Sequence, residues 1–362
     1  MRILLVGEYS NVHNTLAQGL RALGHEVCVI SNGDFWKNYP RDIDVARRPG
    51  KWGGIRLMLK LWSLLPKMQG YDVVQLINPM FFELKAERLF WFYKWLRRHN
   101  KKLFLGAFGM DYYWVNECIT RKPLRYSDFN FGDQIRTDEA ARIEQQDWLN
   151  TPKERLNRMI AEDCDGIITG LYEYQVCYQP NFPEKTQFIP FPIASFSPVN
   201  HIAANHPITL FIGISKNRSA YKGTDIMLKA AKDVAAHYPE QVRLQIANGV
   251  PFAQYEKMLN ESDVLLDQLY SYTPAMNALL AMSKGIIVVG GGEPENYEII
   301  NETELRPIIN VEPNYESVRH ELEQLVLHPE RIPELKRQSL EYIKKHHDYK
   351  KVAMQYVNFW NR

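Results

Sequence analysis

The chain has 362 residues, with Lys+Arg 44 against Asp+Glu 42, a length that suggests two domains and a charge balance that argues against a dedicated nucleic-acid binder. At 45% hydrophobic and 24% charged residues the composition is that of an ordinary globular protein and excludes a largely disordered chain. Cys28, Cys118, Cys164 and Cys177 form no C-x-x-C pair, so neither a zinc framework nor a disulfide scaffold is indicated, and a reducing compartment fits best.

The start reads strand, turn, helix, strand: an apolar run over 2–6, a break at Gly7, helical periodicity over 12–23, a stop at Gly24 and a second run over 26–30. The first run is too short for a signal-peptide core, and no apolar stretch reaches the roughly 18 residues of a membrane span, so a cytoplasmic protein is expected. A helical pattern over 54–65, closed by Pro66, carries Arg56, Lys60 and Ser63 as a narrow polar stripe on an otherwise apolar surface. Buried-strand runs recur at 72–77, 102–105, 166–169 and 187–190, with helical stretches such as 84–99 and 152–162 between them. That alternation predicts a parallel sheet. The stretch 112–150 is long, aromatic and charged without clear strand periodicity, and irregular segments of such length are often functional.

Proline, asparagine, serine and alanine crowd 189–207, which places a linker there. The pattern then restarts, with strands expected at 208–212, 243–247, 263–266, 286–289 and 307–311 and helices at 224–237 and 275–283. The tail 329–362 holds two helical patterns broken near His346-His347-Asp348, as expected of a segment that packs back across a domain boundary. The segment Ile212-Gly213-Ile214-Ser215-Lys216-Asn217-Arg218, continuing to Lys222-Gly223, leaves one strand and opens the next helix. Such a turn offers backbone N–H groups and a helix N-terminus to an anion, and Lys216, Arg218 and Lys222 add positive charge. A solvated basic loop is the plain alternative. The place at a strand's carboxyl end, where open α/β sheets bind ligands, favours a phosphate site.

Asp267-Gln268, Ala278-Leu279-Leu280-Ala281-Met282-Ser283-Lys284-Gly285 and Val288-Val289-Gly290-Gly291 follow in order after the Gly7 turn and the Lys222-Gly223 helix start. Together they resemble the GT-B glycosyltransferases of glycosyltransferase family four, over nearly the whole chain and most strongly over 211–298. The resemblance implies an α/β protein with two Rossmann-like domains facing a central cleft. It implies an acceptor-side domain over 1–195, a nucleotide-sugar donor domain over 196–345, and a helix over 346–362 packing back on the first. It also implies that Lys222, with Arg218 or Lys216 as partner, offsets charge on the departing diphosphate, so that neither metal nor cofactor is required and the nucleotide sugar is the donor substrate. Gly7, Gly213, Asn248, Asn277 and Gly292 complete the expected donor set, the glycine run 290–292 letting backbone approach the donor. Family members usually carry two glutamates eight positions apart, the second of which binds the donor ribose. The corresponding positions hold Tyr272 and Leu280, so ribose contact is expected from Asn277, Glu293 or Glu295.

In the N-terminal half, His13 sits at the first strand's carboxyl end, where it either orients an acceptor hydroxyl or donor phosphate or serves as a capping or packing histidine. Asp111 either accepts a hydrogen bond from the acceptor sugar or caps a helix, and Tyr112, Tyr113 and Trp114 either stack on a sugar face or fill a core. The 54–65 helix, with Lys51 and Lys67, either rests on an anionic membrane near a lipid-linked acceptor or lies buried between the sheet and a neighbour with one wet edge; the buried reading is preferred. The expected function is a retaining, metal-independent glycosyltransferase of polysaccharide biosynthesis, moving a sugar from a nucleotide-sugar donor to a glycan or lipid-linked acceptor, with peripheral contact at the inner membrane face as an open option. The alternatives are a non-catalytic sugar- or nucleotide-binding subunit and a nucleotide-sugar epimerase on the same architecture.

Overall fold

The structure, a computed structural model, describes residues 1–194, 207–214 and 222–362. The chain divides into two compact units. One comprises Met1–Arg125, Gly132–Ala194 and Tyr349–Arg362; the other comprises Tyr126–Phe131 and the described residues of Ser195–Asp348. The strands, in chain order, are β1 (Arg2–Val6), β2 (Glu26–Ser31), β3 (Ile43–Asp44), β4 (Val73–Leu76), β5 (Lys102–Ala107), β6 (Asn130–Phe131), β7 (Gln134–Ile135), β8 (Gly166–Thr169), β9 (Thr186–Phe188), β10 (Ile208–Ile214), β11 (Val242–Asn248), β12 (Val264–Leu266), β13 (Ile287–Val289) and β14 (Ile308–Ile309).

The first unit is built on a parallel sheet of order β3-β2-β1-β4-β5-β8-β9, with Arg2 opposite Glu26 and Ile3 opposite Val73. Helices must link parallel neighbours, so both faces of the sheet are covered and its central strands are continuous apolar runs: Ile3, Leu4, Leu5 and Val6 are all fully buried. The C-terminal helix Tyr349–Trp360 belongs to this unit and lies against the helix Val12–Ala22. Gly19 permits that approach, because a Cβ there would stand 2.3 Å from the Tyr349 carbonyl oxygen. The far end is tied down as well, with Lys102 Nζ donating to the Trp360 carbonyl at 2.8 Å.

Two sequence expectations are corrected here. The stretch 112–150 is not irregular: it contains the helices Tyr112–Thr120 and Glu139–Trp148, capped by the Asp111 and Asp138 carboxylates, which accept from Trp114 N and Ala141 N. The helix Gly53–Leu64 is not buried between sheet and neighbour, for only Gly53, Leu57 and Leu61 are covered. Its other apolar side chains form an open stripe, with Trp52 just ahead of it 61% exposed, Ile55 42%, Leu59 56% and Trp62 47%.

The turn after β1 depends on Gly7, whose φ of +85° and 2.3 Å approach of a virtual Cβ to Ile77 Cγ2 leave no room for a side chain. Beyond it the Glu8 carboxyl accepts from His13 N (3.1 Å) and Asn14 N (2.8 Å), satisfying two of the orphan donors at the start of the helix Val12–Ala22. His13 Nδ1 donates to the Gly7 carbonyl at 2.8 Å, its Nε2 is buried without a hydrogen-bond partner, and burial pushes its pKa down to about 3. Burial pushes the Glu8 carboxyl up to about 8, against the opposing pull of the two backbone N–H groups.

The second unit carries a parallel sheet of order β11-β10-β12-β13-β14. Ile208, Leu210 and Ile212 alternate onto one face, where they meet Met227, Ala230 and Val234 of the helix Thr224–His237 and Leu322 and Leu325 of the helix Tyr315–Leu327. An ion pair is buried in this unit: Lys336 Nζ lies 2.6 Å from Asp263 Oδ1, while Asp263 Oδ2 accepts from Thr209 N at 2.9 Å and so pins the entry of β12 to β10. Near the end of the unit the fully buried Glu302 carboxylate receives Lys345 (2.8 Å) and His346 (2.6 Å) from the π-helical turn Ile343–His347.

Two measurements follow. Between the unfolded value near 4.5 and the folded value of about 8, the folded chain holds a Glu8 proton that the unfolded chain has released, so stability falls as pH rises through that window. Glu8→Gln removes this titration, and its melting temperature should decline less between pH 5 and 8 than that of the wild type; parallel profiles would contradict the assignment. Lys336→Ala strands the Asp263 charge in the interior and should cost about 3–5 kcal/mol in denaturant unfolding, well above the effect of an exposed lysine.

Candidate functional site

Loops that leave parallel strands all emerge at one edge, and a crevice opens where successive connections run to opposite sides. In the second unit that point lies between β10 and β12, since β11 flanks β10 on its other side. β10 ends at Ile214; Lys216 and Arg218 fall outside the described residues, and the description resumes at Lys222. Lys222 stands immediately before Gly223, which opens the 14-residue helix Thr224–His237, so its charge adds to the partial positive charge of that N-terminus. The Lys222 carbonyl accepts from Leu269 N at 2.9 Å, and a Cβ on Gly223 would come within 2.6 Å of Leu269 Cβ. The start of the helix is thereby held against the loop that follows β12.

The same loop organises the neighbouring polar groups. Asn277 Nδ2 donates to Asp267 Oδ1 at 3.0 Å, and Asn277 Oδ1 accepts from the Tyr255 hydroxyl at 3.0 Å. Tyr255 closes over Gly213, where a Cβ would meet the ring at 2.9 Å, and its ring pairs edge-on with Phe211 at 5.1 Å. Gly213, Asn277 and Asp267 are therefore brought into one cluster. Asn248, opposite Ile214 at the end of β11, is exposed at the sheet's outer side.

After β13 the glycine run has a structural cause within the chain itself. Gly290 adopts φ +96° with a virtual Cβ 2.4 Å from the Gln268 carbonyl, and a Cβ on Gly292 would press Ile308 Cγ2 at 2.9 Å. The run ends at Glu293, whose backbone N–H donates to the Tyr272 carbonyl at 3.3 Å; Glu295 is half-buried in the short helix Pro294–Ile299. The Glu293 carboxylate is buried and accepts a hydrogen bond from the Tyr126 hydroxyl. Tyr126 N also donates to the Tyr272 hydroxyl at 3.3 Å, and the two rings lie 4.7 Å apart, 31° from parallel. Leu280, on the helix Met276–Met282, is half-buried and contributes no polar group.

In the first unit the residues expected to meet an acceptor are turned inward. Asp111 is fully buried, capping Trp114 N with Oδ1 at 2.8 Å and accepting from the Tyr178 hydroxyl with Oδ2 at 2.8 Å, while burial pushes its pKa up to about 7. Tyr112 is buried too, its hydroxyl hydrogen-bonded by Arg158 and its ring 4.5 Å beneath that guanidinium. Tyr113 and Trp114 pack with Tyr178 and Tyr174. His13 faces Gly7 as described, so Asp111, His13 and the aromatic trio take the capping and packing roles. The cavity at this sheet edge, about 210 Å³, is lined instead by Gly7, Glu8, Tyr9, Phe81, Phe82 and Lys153. Sequence reasoning passed over Glu8, though an acidic residue in a strand-to-helix turn signals a cap, and over Tyr126, for which the only sign was the aromatic content of the stretch around it. Among the described residues no helix is long and apolar enough to cross a membrane.

No protein-family model and no curated protein matches the sequence. Solved structures match its fold. Sucrose-phosphate synthase from Thermosynechococcus elongatus is 13% identical, with a TM-score of 0.65 over 100% of this chain and 98% of that one. Anabaena HepE in complex with UDP and glucose is 12% identical, with a TM-score of 0.59 over 99% and 98%. WaaG, a glycosyltransferase involved in lipopolysaccharide biosynthesis, is 13% identical, with a TM-score of 0.56 over 98% of each chain. The α/β chain with two Rossmann-like units thus has the fold of the GT-B glycosyltransferases.

Proposed function

We propose that the protein is a glycosyltransferase that binds a nucleotide sugar at the carboxyl edge of its second sheet and passes the sugar, with retention and without a metal, to a glycan or lipid-linked acceptor. The observation that carries this reading is Lys222 at the mouth of the helix Thr224–His237, placed where the strand order reverses. A fixed cation and a helix N-terminus together suit a diphosphate, and their catalytic value is greatest as negative charge grows on the leaving group. Lys216 and Arg218 add charge in the same turn of the sequence. The fold is shared with a protein crystallised with UDP and glucose, which supports a nucleotide-sugar donor over an unrelated anion. The buried Glu293 carboxylate, in the loop after β13, supplies a hydrogen-bond acceptor of a kind suited to sugar hydroxyls, a role that neither Tyr272 nor Leu280 can fill as a carboxylate.

A second reading, binding without transfer, is motivated by Tyr272 and Leu280, which stand where members of the resembled family usually carry glutamates. Turnover decides between them. With a panel of nucleotide sugars and acceptors, wild type should release free nucleoside diphosphate and glycosylated product, and Lys222→Ala should lose turnover by about 100-fold or more while keeping its melting temperature. Binding without product would favour the second reading, and a donor altered with no acceptor present would mark an epimerase.

The open stripe Trp52, Ile55, Leu59 and Trp62, beside the exposed cations Arg56 and Lys60, supports an acceptor held at an anionic membrane surface. Wild type should float with anionic liposomes at low salt and less so at high salt, and Trp52→Ser with Trp62→Ser should reduce flotation roughly tenfold. Wild type left at the bottom of the gradient would end the membrane assignment.

A further inference from the structure

Among the described residues eight other than glycine take a positive φ, and five of them, Ser10, Asn11, Asp34, Phe35 and Asn38, stand in the loops after β1 and β2. Backbone strain is thus concentrated at one edge of the first sheet. Asp34 and Phe35 both sit at φ +58°, a conformation that aspartate tolerates and that a bulky aromatic side chain opposes. The loop is held there by its neighbours: Asp34 Oδ2 accepts from Ser10 N (2.8 Å) and Lys37 Nζ (2.6 Å), Asn32 Oδ1 accepts from Asp34 N (3.0 Å), and the Gly33 carbonyl accepts from Tyr39 N (2.9 Å). The strain returns no burial, because Phe35 remains 61% exposed. An aromatic residue fixed in a strained backbone with its ring in water points to what that ring meets.

The ring borders the cavity of the first unit. Tyr9, Phe35, Phe81 and Phe82 supply four rings to its wall, and Asn32 and Glu83 supply an amide and a carboxylate. At about 210 Å³ it has room for one six-membered ring, since a cavity of roughly 150 Å³ accepts benzene. A sugar ring offers an apolar C–H face to aromatic carbon and a rim of hydroxyls to planar polar groups. The local charge is negative. Glu83 accepts from Arg47 N with Oε2 at 2.9 Å, and among the described residues no lysine or arginine side chain pairs with it. Lys153, a cation of the lining, is already bound by the Asp147 carboxylate and lies 5.1 Å from the Trp148 ring. Burial, and after it the charges of Asp34, Asp111 and Glu83, hold the Tyr9 phenol above its usual range. A phosphate or carboxylate entering beside Tyr9 meets the same repulsion.

We propose that this cavity binds a six-membered sugar ring that carries no anionic group, with Phe35 as the stacking platform and Glu83 as the residue that excludes anions. The ring's part in the reaction rests on the glycosyltransferase reading given above, which the proposal deepens: the acceptor ends in a neutral or amine-bearing sugar. Recognition of that sugar is separate from the diphosphate contact of Lys222.

Saturation-transfer NMR titrations on the full chain test this, with glucose, galactose, mannose and glucosamine as probes against glucuronate and glucose 6-phosphate. At least one of the first four should bind, roughly tenfold or more tightly than either anion. Phe35→Gly should weaken that binding roughly tenfold while its melting temperature holds or rises, because glycine takes a positive φ without strain. Glu83→Gln should narrow the preference over glucuronate by removing the repelling charge. Anions bound as tightly as the other sugars, an unchanged preference in Glu83→Gln, or full binding by Phe35→Gly would overturn the proposal. So would a lowered melting temperature in Phe35→Gly, which would make the ring part of the fold. Wild type that binds UDP or GDP sugars but none of the probe sugars overturns this site alone, whereas failure with the nucleotide sugars overturns the glycosyltransferase reading.

Discussion

Parallel strands cannot be joined by tight turns, and each crossover helix returns the chain to the start of the next strand. Every loop that leaves a strand therefore reaches the same edge of the sheet. All the chemistry discussed for this protein depends on that constraint. It brings Lys222 after β10, Asp267 after β12 and Glu293 after β13 to one edge, although the sequence separates them by tens of residues. The stiffness of that edge comes from below it. The Lys336–Asp263 pair fixes β12 against β10, and the apolar layer beneath Ile208, Leu210 and Ile212 leaves little room for slippage, since a one-residue shift would turn these side chains to the opposite face.

Much of this arrangement was legible in the sequence because its signals are local. The strands β1, β2, β5, β8 and β10 begin where apolar runs begin, and the helix Thr224–His237 occupies the residues its periodicity assigned. What escaped had a physical reason in each case. The helix Tyr112–Thr120 is buried nearly all round, so no polar face marks its period, and Glu139–Trp148 buries only Ala141 and Trp148, too little for a stripe. Periodicity in Gly53–Leu64 told which residues share a face, but both faces are apolar, and nothing local says which one the protein covers. Of the candidate site, Lys222 and the carboxylates after the glycine run could be singled out from the sequence, while Lys216 and Arg218 lie outside the described residues. The partner of Glu293 could not be, because contacts across 146 and 167 residues leave no trace in a short window.

The two sheet edges treat their buried acids differently. Glu8 and Asp111 in the first unit are closed off against backbone amides and a phenol, and burial raises both carboxyl groups toward the neutral form. They are structural pins, and they stiffen the turns around the cavity lined by Tyr9, Phe81 and Lys153. Glu293 in the second unit is also buried, but its named donor arrives from a separate piece of chain. Glu8, held by the amides of its own turn, can be formed locally. Glu293, held by the strap Tyr126–Phe131, is complete only when the strap is seated.

That strap changes how the gene could be divided. The chain passes between its two units four times, after Arg125, Phe131, Ala194 and Asp348, so the excursion over 126–131 adds two passages to the linker and the returning tail that the sequence suggests. A chimera joined at that linker, grafting the second half of a relative onto this first half, would combine a foreign sheet edge with the native Tyr126. The reverse exchange would leave Glu293 facing whatever residue the foreign first half provides. The halves are therefore not interchangeable modules: recombination that preserves the site has to carry six residues of one half along with the other.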